Sequence, residues 1–181
     1  GSVWSEQEAG TNAPGMALRL GRPVHVHASE HFNRLVHPWS CAAAPITDPT
    51  GRQTELYPFN APASLPLHPV ADAAGDRLRI TLEFAGRTIL LRAWKVDVGR
   101  TKLYLLDSND PFNTPADRGL TAALYGGDAE VRLLQEIILG VGGWRLVEAL
   151  GLDIEICHLN EGHAALAVVE RARQFMQQRG T

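Results

Sequence analysis

Between Leu152 and Met176 the hydrophobic period of the chain changes once, and that change dictates a strand followed by a helix. Leu152, Ile154 and Ile156 alternate with Asp153, Glu155 and Cys157 as in a half-buried strand, whereas from Ala164 to Met176 apolar residues return at helical spacing. At the junction, His158, Asn160, Glu161 and His163 fall within six residues. A polar cluster at the carboxyl end of a strand occupies the edge where open α/β sheets take their ligands. The same residues also read as plain structure, since Asn160 is a competent N-cap and Glu161 in the first turn complements the helix dipole. On that reading the two histidines are incidental.

Upstream, Thr101-Lys102-Leu103-Tyr104-Leu105-Leu106-Asp107 reads as an apolar strand ending on a carboxylate. After a loop with a short helical piece around Leu120 to Tyr125, Asp128 opens the longest helix. Val131, Leu134, Ile138 and Val141 share its apolar face, and Gly151 stops it. Gly140, Gly142 and Gly143 each cost about 1 kcal/mol relative to alanine inside a helix, which close packing against a neighbour would explain. Strand 102–107, helix 128–150 and strand 153–158 make a right-handed βαβ unit, and helix 161–178 completes βαβα. Asp107 and His158 then end two parallel strands on one edge. Ahead of this unit, Leu78, Ile80, Leu82 and Phe84 alternate with polar partners, Ala85-Gly86 turns, and Arg87 to Val96 runs back as a β-hairpin. The expected fold class is α/β: an incomplete Rossmann-like βαβα layer with an appended antiparallel hairpin or meander.

The rest is less periodic. Met16 to Gly21 reads as a helix end with a glycine stop, Pro23 to His27 as a brief strand, and Ser29 caps a short helix that Pro38 ends. From Ser40 to Asp76 the chain reads as a long loop. Gly1-Ser2 looks like a cloning scar, residues 1–15 are read as disordered, and 16–181 as a single domain. A net charge of −3 gives no basis for nucleic-acid binding, and no apolar run approaches the roughly 18 residues a membrane span needs. Cys41 and Cys157 lie far apart outside any paired pattern, so a reducing cytoplasm is the expected compartment.

Four runs in order carry a resemblance: Tyr104-Leu105-Leu106-Asp107-Ser108-Asn109, Leu124-Tyr125-Gly126-Gly127-Asp128, Glu130 to Ile137 with Leu139-Gly140-Val141-Gly142-Gly143, and His158-Leu159-Asn160-Glu161-Gly162-His163-Ala164-Ala165. With Gly51 to Pro58, they resemble the α-glucan (glycogen/maltodextrin) phosphorylases of the bacterial short type, from about residue 48 onward. The resemblance implies a pyridoxal-phosphate enzyme of two Rossmann-like halves that transfers glucose from an α-1,4-glucan to phosphate. It maps this chain onto the later part of the first half. It places Asn160, Glu161 and His163 along the sugar cleft, with Asp107 and Asn109 beginning a loop near it. The cofactor lysine belongs to the second half of such enzymes, so pyridoxal phosphate is not expected here and phosphorolysis would need further parts. Residues 16–47 depart from the family: where it runs through a glycine-bearing strand, this chain has Val24-His25-Val26-His27.

Those histidines support an alternative. His25 and His27 are two apart on a strand and His31 lies a turn further on, a spacing that suits a zinc or manganese ion with an open position for water. Glu30 or Glu161 would then orient the water, and His158 or His163 would join if strand 24–27 lay beside strand 153–158. That arrangement is a stand-alone hydrolase of phosphoesters or other small activated esters. The competing reading is a solvated turn of histidines. Open sheet edges on either reading predict a homo-oligomer, most simply a dimer.

Overall fold

The structure is a computed structural model that describes residues 16–20, 22–28, 46–47, 49–51, 53–54, 61–99, 101–122, 128–159 and 162–180, with the backbone alone for 16–28, 46–47 and 53–54. The Ser29 helix, His31, Glu30, Asn160 and Glu161 lie outside the described residues. The chain is mixed α/β. Its centre is an antiparallel group of four strands: β5 (His68–Pro69), β6 (Arg79–Phe84), β7 (Arg87–Val98) and β8 (Thr101–Asp107). β7 is long enough to pair along one edge with β5 and β6 in tandem, and along the other with β8.

The hairpin is therefore integral to the sheet and not appended. Its alternation decides which face is covered, as expected for an antiparallel sheet. Ile80, Leu82, Ile89, Leu91 and Ala93 point to the helices and are buried with Tyr104 and Leu106. Trp94, Leu103 and Leu105 point the other way and close a smaller core with Leu67.

Beyond β8 the sheet continues through β2 (Arg22–Ala28), β1 (Met16–Leu20) and β9 (Ile156–Leu159), seven strands in all. A separate short ladder joins β3 (Ile46–Thr47) to β4 (Gln53–Thr54). Three expectations are corrected here. Met16 to Leu20 is a strand and not a helix end, because five residues of M-A-L-R-L are too few for either period to decide. β8 and β9 are not neighbours in a simple βαβ unit, since β2 and β1 stand between them. The strand of His25 and His27 lies between β8 and β1, so it is not beside β9. The directions nevertheless work out: β2 is parallel to β8, while β1 is antiparallel to both β2 and β9. β8 and β9 thus point the same way and release their carboxyl ends at one edge.

A short helix, α1 (Pro115–Arg118), lies ahead of the helical piece expected at Leu120 to Tyr125, of which residues 123–125 lie outside the described residues. The long helix is present but broken. α2 (Ala129–Ile137) is capped by Asp128, whose Oδ1 accepts from the amides of Glu130 and Val131. A π-helical turn, Ile138–Gly142, then widens the coil before α3 (Gly143–Ala149). The close approach to α4 explains the glycine at 140, because a Cβ there would stand 2.8 Å from the amide nitrogen of Ala167. α4 (Leu166–Arg179) starts later than residue 161, after a 3-10 turn at Gly162–Ala164. It ends on Gly180 at φ 69°, a left-handed cap that suits glycine.

Glu170 fastens α4 to the rest. Its side chain is buried, and Oε1 accepts from Arg145 Nε at 2.7 Å and from Arg173 Nη2 at 2.6 Å. Arg145 Nη1 reaches on to the carbonyl of Thr81 in β6. Burial by itself raises the Glu170 carboxyl, but the hydrogen bonds from Arg173 and Arg145 outweigh it and hold the group below its ordinary range. A carboxylate whose folded-state pKa is depressed contributes stability above its unfolded value of about 4.3, and loses it as pH falls through the lower folded value. Urea midpoints measured from about pH 6 downward should therefore drop across that acid window. Glu170→Gln should be less stable at neutral pH and show a shallower acid limb; an unchanged limb would assign the acid loss to other carboxylates.

Candidate functional site

The edge where β8 and β9 end carries two loops of different character. Residues 108–122 form a polar network with little freedom. Asn113 Nδ2 donates to the carbonyls of Leu90 and Ser108, and its Oδ1 accepts from the Leu90 amide. Ser108 and Thr121 exchange bonds through their hydroxyls. The Thr114 hydroxyl caps α1 by accepting from the Asp117 amide. Asp110, fully buried, takes Arg79 Nε at 2.8 Å. Burial raises this carboxyl, yet the bonds from Arg79 and the Phe112 amide win and leave it below its ordinary range. These positions were legible only as loop-formers, because N-D-P and N-T-P predict turns without saying which side chains are buried.

Asp107 and Asn109 belong to this network. Asp107 Oδ2 accepts from Arg92 Nη2 at 2.6 Å and Trp94 Nε1 at 2.9 Å, while Oδ1 accepts from the Asn109 amide at 2.8 Å. Asn109 Oδ1 accepts from Arg118 Nε at 2.8 Å. Both side chains therefore hold the loop in place, and any ligand would have to share their oxygens. Asn109 keeps its partly exposed side at the edge.

The second loop follows β9. His158 is exposed on the strand, and Cys157 beside it is half-buried, its thiol pushed up by burial. That is the inert cysteine the alternation predicts. His163 sits in the turn before α4, with Nδ1 3.9 Å from Glu136 Oε1 of α2. Ala164, next to it, is completely buried, so the turn is pinned between α2 and α4. The structure thus brings Asp107 and His158, near the ends of β8 and β9, and Asn109 and His163, in the segments that follow, to one sheet edge. In register, Ala17 stands between His25 and His158, so these two are separated by a strand. Among the described residues no three histidine, cysteine or acidic side chains form a group able to hold a metal ion.

A pyridoxal cofactor held as an imine needs a lysine at the cleft. The chain has two: Lys95 lies on β7, 3.6 Å from Asp97, and Lys102 is exposed near the start of β8. Both lie away from the edge where β8 and β9 end. No helix among the described residues is long and apolar enough to cross a membrane.

Similarity to known proteins divides the chain. Residues 1–57 match the family model described as MimR, N-terminal domain. The chain is 41% identical over 131 residues to maltodextrin phosphorylase of Thermococcus litoralis, and 40% identical over 136 residues to glycogen phosphorylase of Mycobacterium tuberculosis. Each alignment covers 72% of this chain and 16% of the relative. The chain is also 39% identical over 64 residues, 35% of its length and 11% of the relative, to the acetoin dehydrogenase operon transcriptional activator AcoR of Bacillus subtilis. No solved structure matches. The match over residues 1–57 accounts for the departure of residues 16–47 from the phosphorylase pattern. The chain spans 16% of the length of the phosphorylases it matches, and over 72% of its own length it is a phosphorylase-like segment.

Proposed function

We propose that this segment contributes one wall of an α-glucan cleft and does not carry out phosphorolysis with its own residues alone. The observation behind this reading is the run His158 to Ala165, set at the carboxyl end of β9 on the same edge as the loop after β8. Asn160, Glu161 and His163 are assigned to sugar hydroxyls by resemblance. The pinned turn at Ala164 would hold His163 steady, as a hydroxyl-reading group requires. The compartment proposed for this activity is the cytoplasm.

The metal-dependent ester hydrolase gains no support among the described residues. Its ligands His25, His27 and His31 fall within residues 1–57, which match the family model described as MimR, N-terminal domain. The expected outcome is therefore saturable but weak binding of maltoheptaose by calorimetry, reduced about tenfold by His163→Ala, as for loss of one well-placed hydrogen bond from a buried site. Glucose 1-phosphate should not form when phosphate is added. Failure of maltoheptaose to bind the folded chain would remove the cleft assignment. About one transition metal per chain by elemental analysis would restore the hydrolase.

A further inference from the structure

Among the described residues, the sheet face opposite the helices carries the guanidinium groups of Arg77, Arg79 and Arg92 against the carboxylates of Asp107 and Asp110. Arg79, Arg92 and Asp107 stand opposite one another in register across β6, β7 and β8. Arg92 Nη2 is bound to Asp107 at 2.6 Å and Arg79 Nε to Asp110 at 2.8 Å, which commits both carboxylates. Among the described residues Arg77 makes no such ion pair. Its guanidinium carbon lies 4.0 Å over the centroid of the Trp94 ring, and its Nε and Nη2 are buried without a hydrogen-bond partner. Arg92 Nε is buried and unpartnered as well. Trp94 is itself fixed, because its Nε1 donates to Asp107.

Buried donors without acceptors are rare in native proteins and call for a reason. Here the surroundings supply one. Burial, and after it repulsion from Arg92, pull the Arg77 guanidinium below its ordinary range in spite of Asp107 and Asp110. A further negative charge would relieve both. We propose that Arg77 and Arg92 form an oxyanion-binding site on this face, taking a phosphate or carboxylate group whose oxygens accept from the three unpartnered nitrogens. Guanidinium forks match such oxygens in shape as well as charge. Stacking on Trp94 fixes the plane of the Arg77 group and leaves its N–H edge as the binding edge. Arg77 is half-buried with its free nitrogens inward, so occupancy requires the group to slide across the indole. Trp94 then reports binding. This site does not depend on the α-glucan reading.

The test is tryptophan fluorescence of the full chain titrated with inorganic phosphate, and separately with acetate, at constant ionic strength. A saturable change is expected that disappears in Trp94→Phe and whose midpoint rises about tenfold or more in Arg77→Gln. Saturation by phosphate but not acetate assigns a tetrahedral oxyanion, and the reverse assigns a carboxylate. Arg77→Lys, which keeps the charge and loses the fork, gives the same comparison if Arg77→Gln does not fold. No saturable response to either anion, or midpoints unmoved in the Arg77 variants, would overturn the site.

Discussion

Replacing Asp107 with alanine is expected to lower the unfolding free energy by about 3–5 kcal/mol, the range found when one partner of a buried charge pair is removed. The side chain is 8% exposed and accepts three hydrogen bonds, from Arg92, Trp94 and the Asn109 amide. Alanine leaves all three donors without an acceptor. The charge matters most: the Arg92 side chain is only 16% exposed, so water cannot replace the lost carboxylate, and its Nε already lacks a partner. Asp110→Ala should cost less, although Asp110 is the more buried residue, because the Arg79 side chain is 36% exposed and can return to water. Urea unfolding at constant m-value checks both. A cost for Asp107→Ala no greater than for Asp110→Ala would show that Arg92 finds another partner. The same variant separates the two roles of Asp107: a sugar residue would lose maltoheptaose affinity at a temperature where the variant is still folded, and a purely structural one would not.

The sequence shows most of the fold where period and chemistry agree, and less where packing decides. The alternation of Leu78 to Phe84 and Arg87 to Val96 located the hairpin, the run ending at Asp107 located β8, and Asp128 was legible as the start of the long helix. The glycines at 140 and 142 announced a close approach before the approaching element was known. The π-turn was not legible, because the apolar spacing through Ile138 and Val141 reads as ordinary helix. The register of β9 was early by several residues for a related reason. Leu152 and Ile154 alternate correctly, but they pack against the helix side of the core before the strand begins at Ile156. The insertion of β2 and β1 between β8 and β9 follows from long-range pairing, to which local pattern is blind. At the candidate site, the polar run after β9 was legible as a cluster of histidine, asparagine and glutamate at a strand end, of which Asn160 and Glu161 lie outside the described residues. The network of Ser108, Asp110, Asn113 and Thr121 was not, since a buried polar residue and an exposed turn-former have the same letter.

Gly140→Ala should destabilise the chain by roughly 1–3 kcal/mol, although alanine is the better helix former by about 1 kcal/mol. The Cβ would lie 2.8 Å from the amide nitrogen of Ala167, 2.9 Å from Cβ of Leu166 and 3.0 Å from its carbonyl carbon. Two of these three atoms are backbone in the first turn of α4, so no side-chain rotation relieves the overlap. Gly142 provides the comparison. Its Cβ would meet Leu91 Cδ1 at 2.8 Å, then Leu106 and Leu82 at 3.6 and 3.8 Å. That first contact is the far end of a flexible side chain, although Leu91 is itself fully buried. The expected order is therefore Gly140→Ala worse than Gly142→Ala, measured as the fall in urea midpoint. The opposite order would mean that α4 yields more easily than the leucine core. The displacement also has a direction. Pushing Leu166 and Ala167 outward moves the turn that carries His163 and the buried Ala164, so on the proposed cleft Gly140→Ala should weaken maltoheptaose binding without altering any residue assigned to it. Gly142→Ala presses on the sheet instead and should leave binding within about twofold, less than 1 kcal/mol. Equal losses of binding in the two variants would show that the site does not depend on the seat of α4.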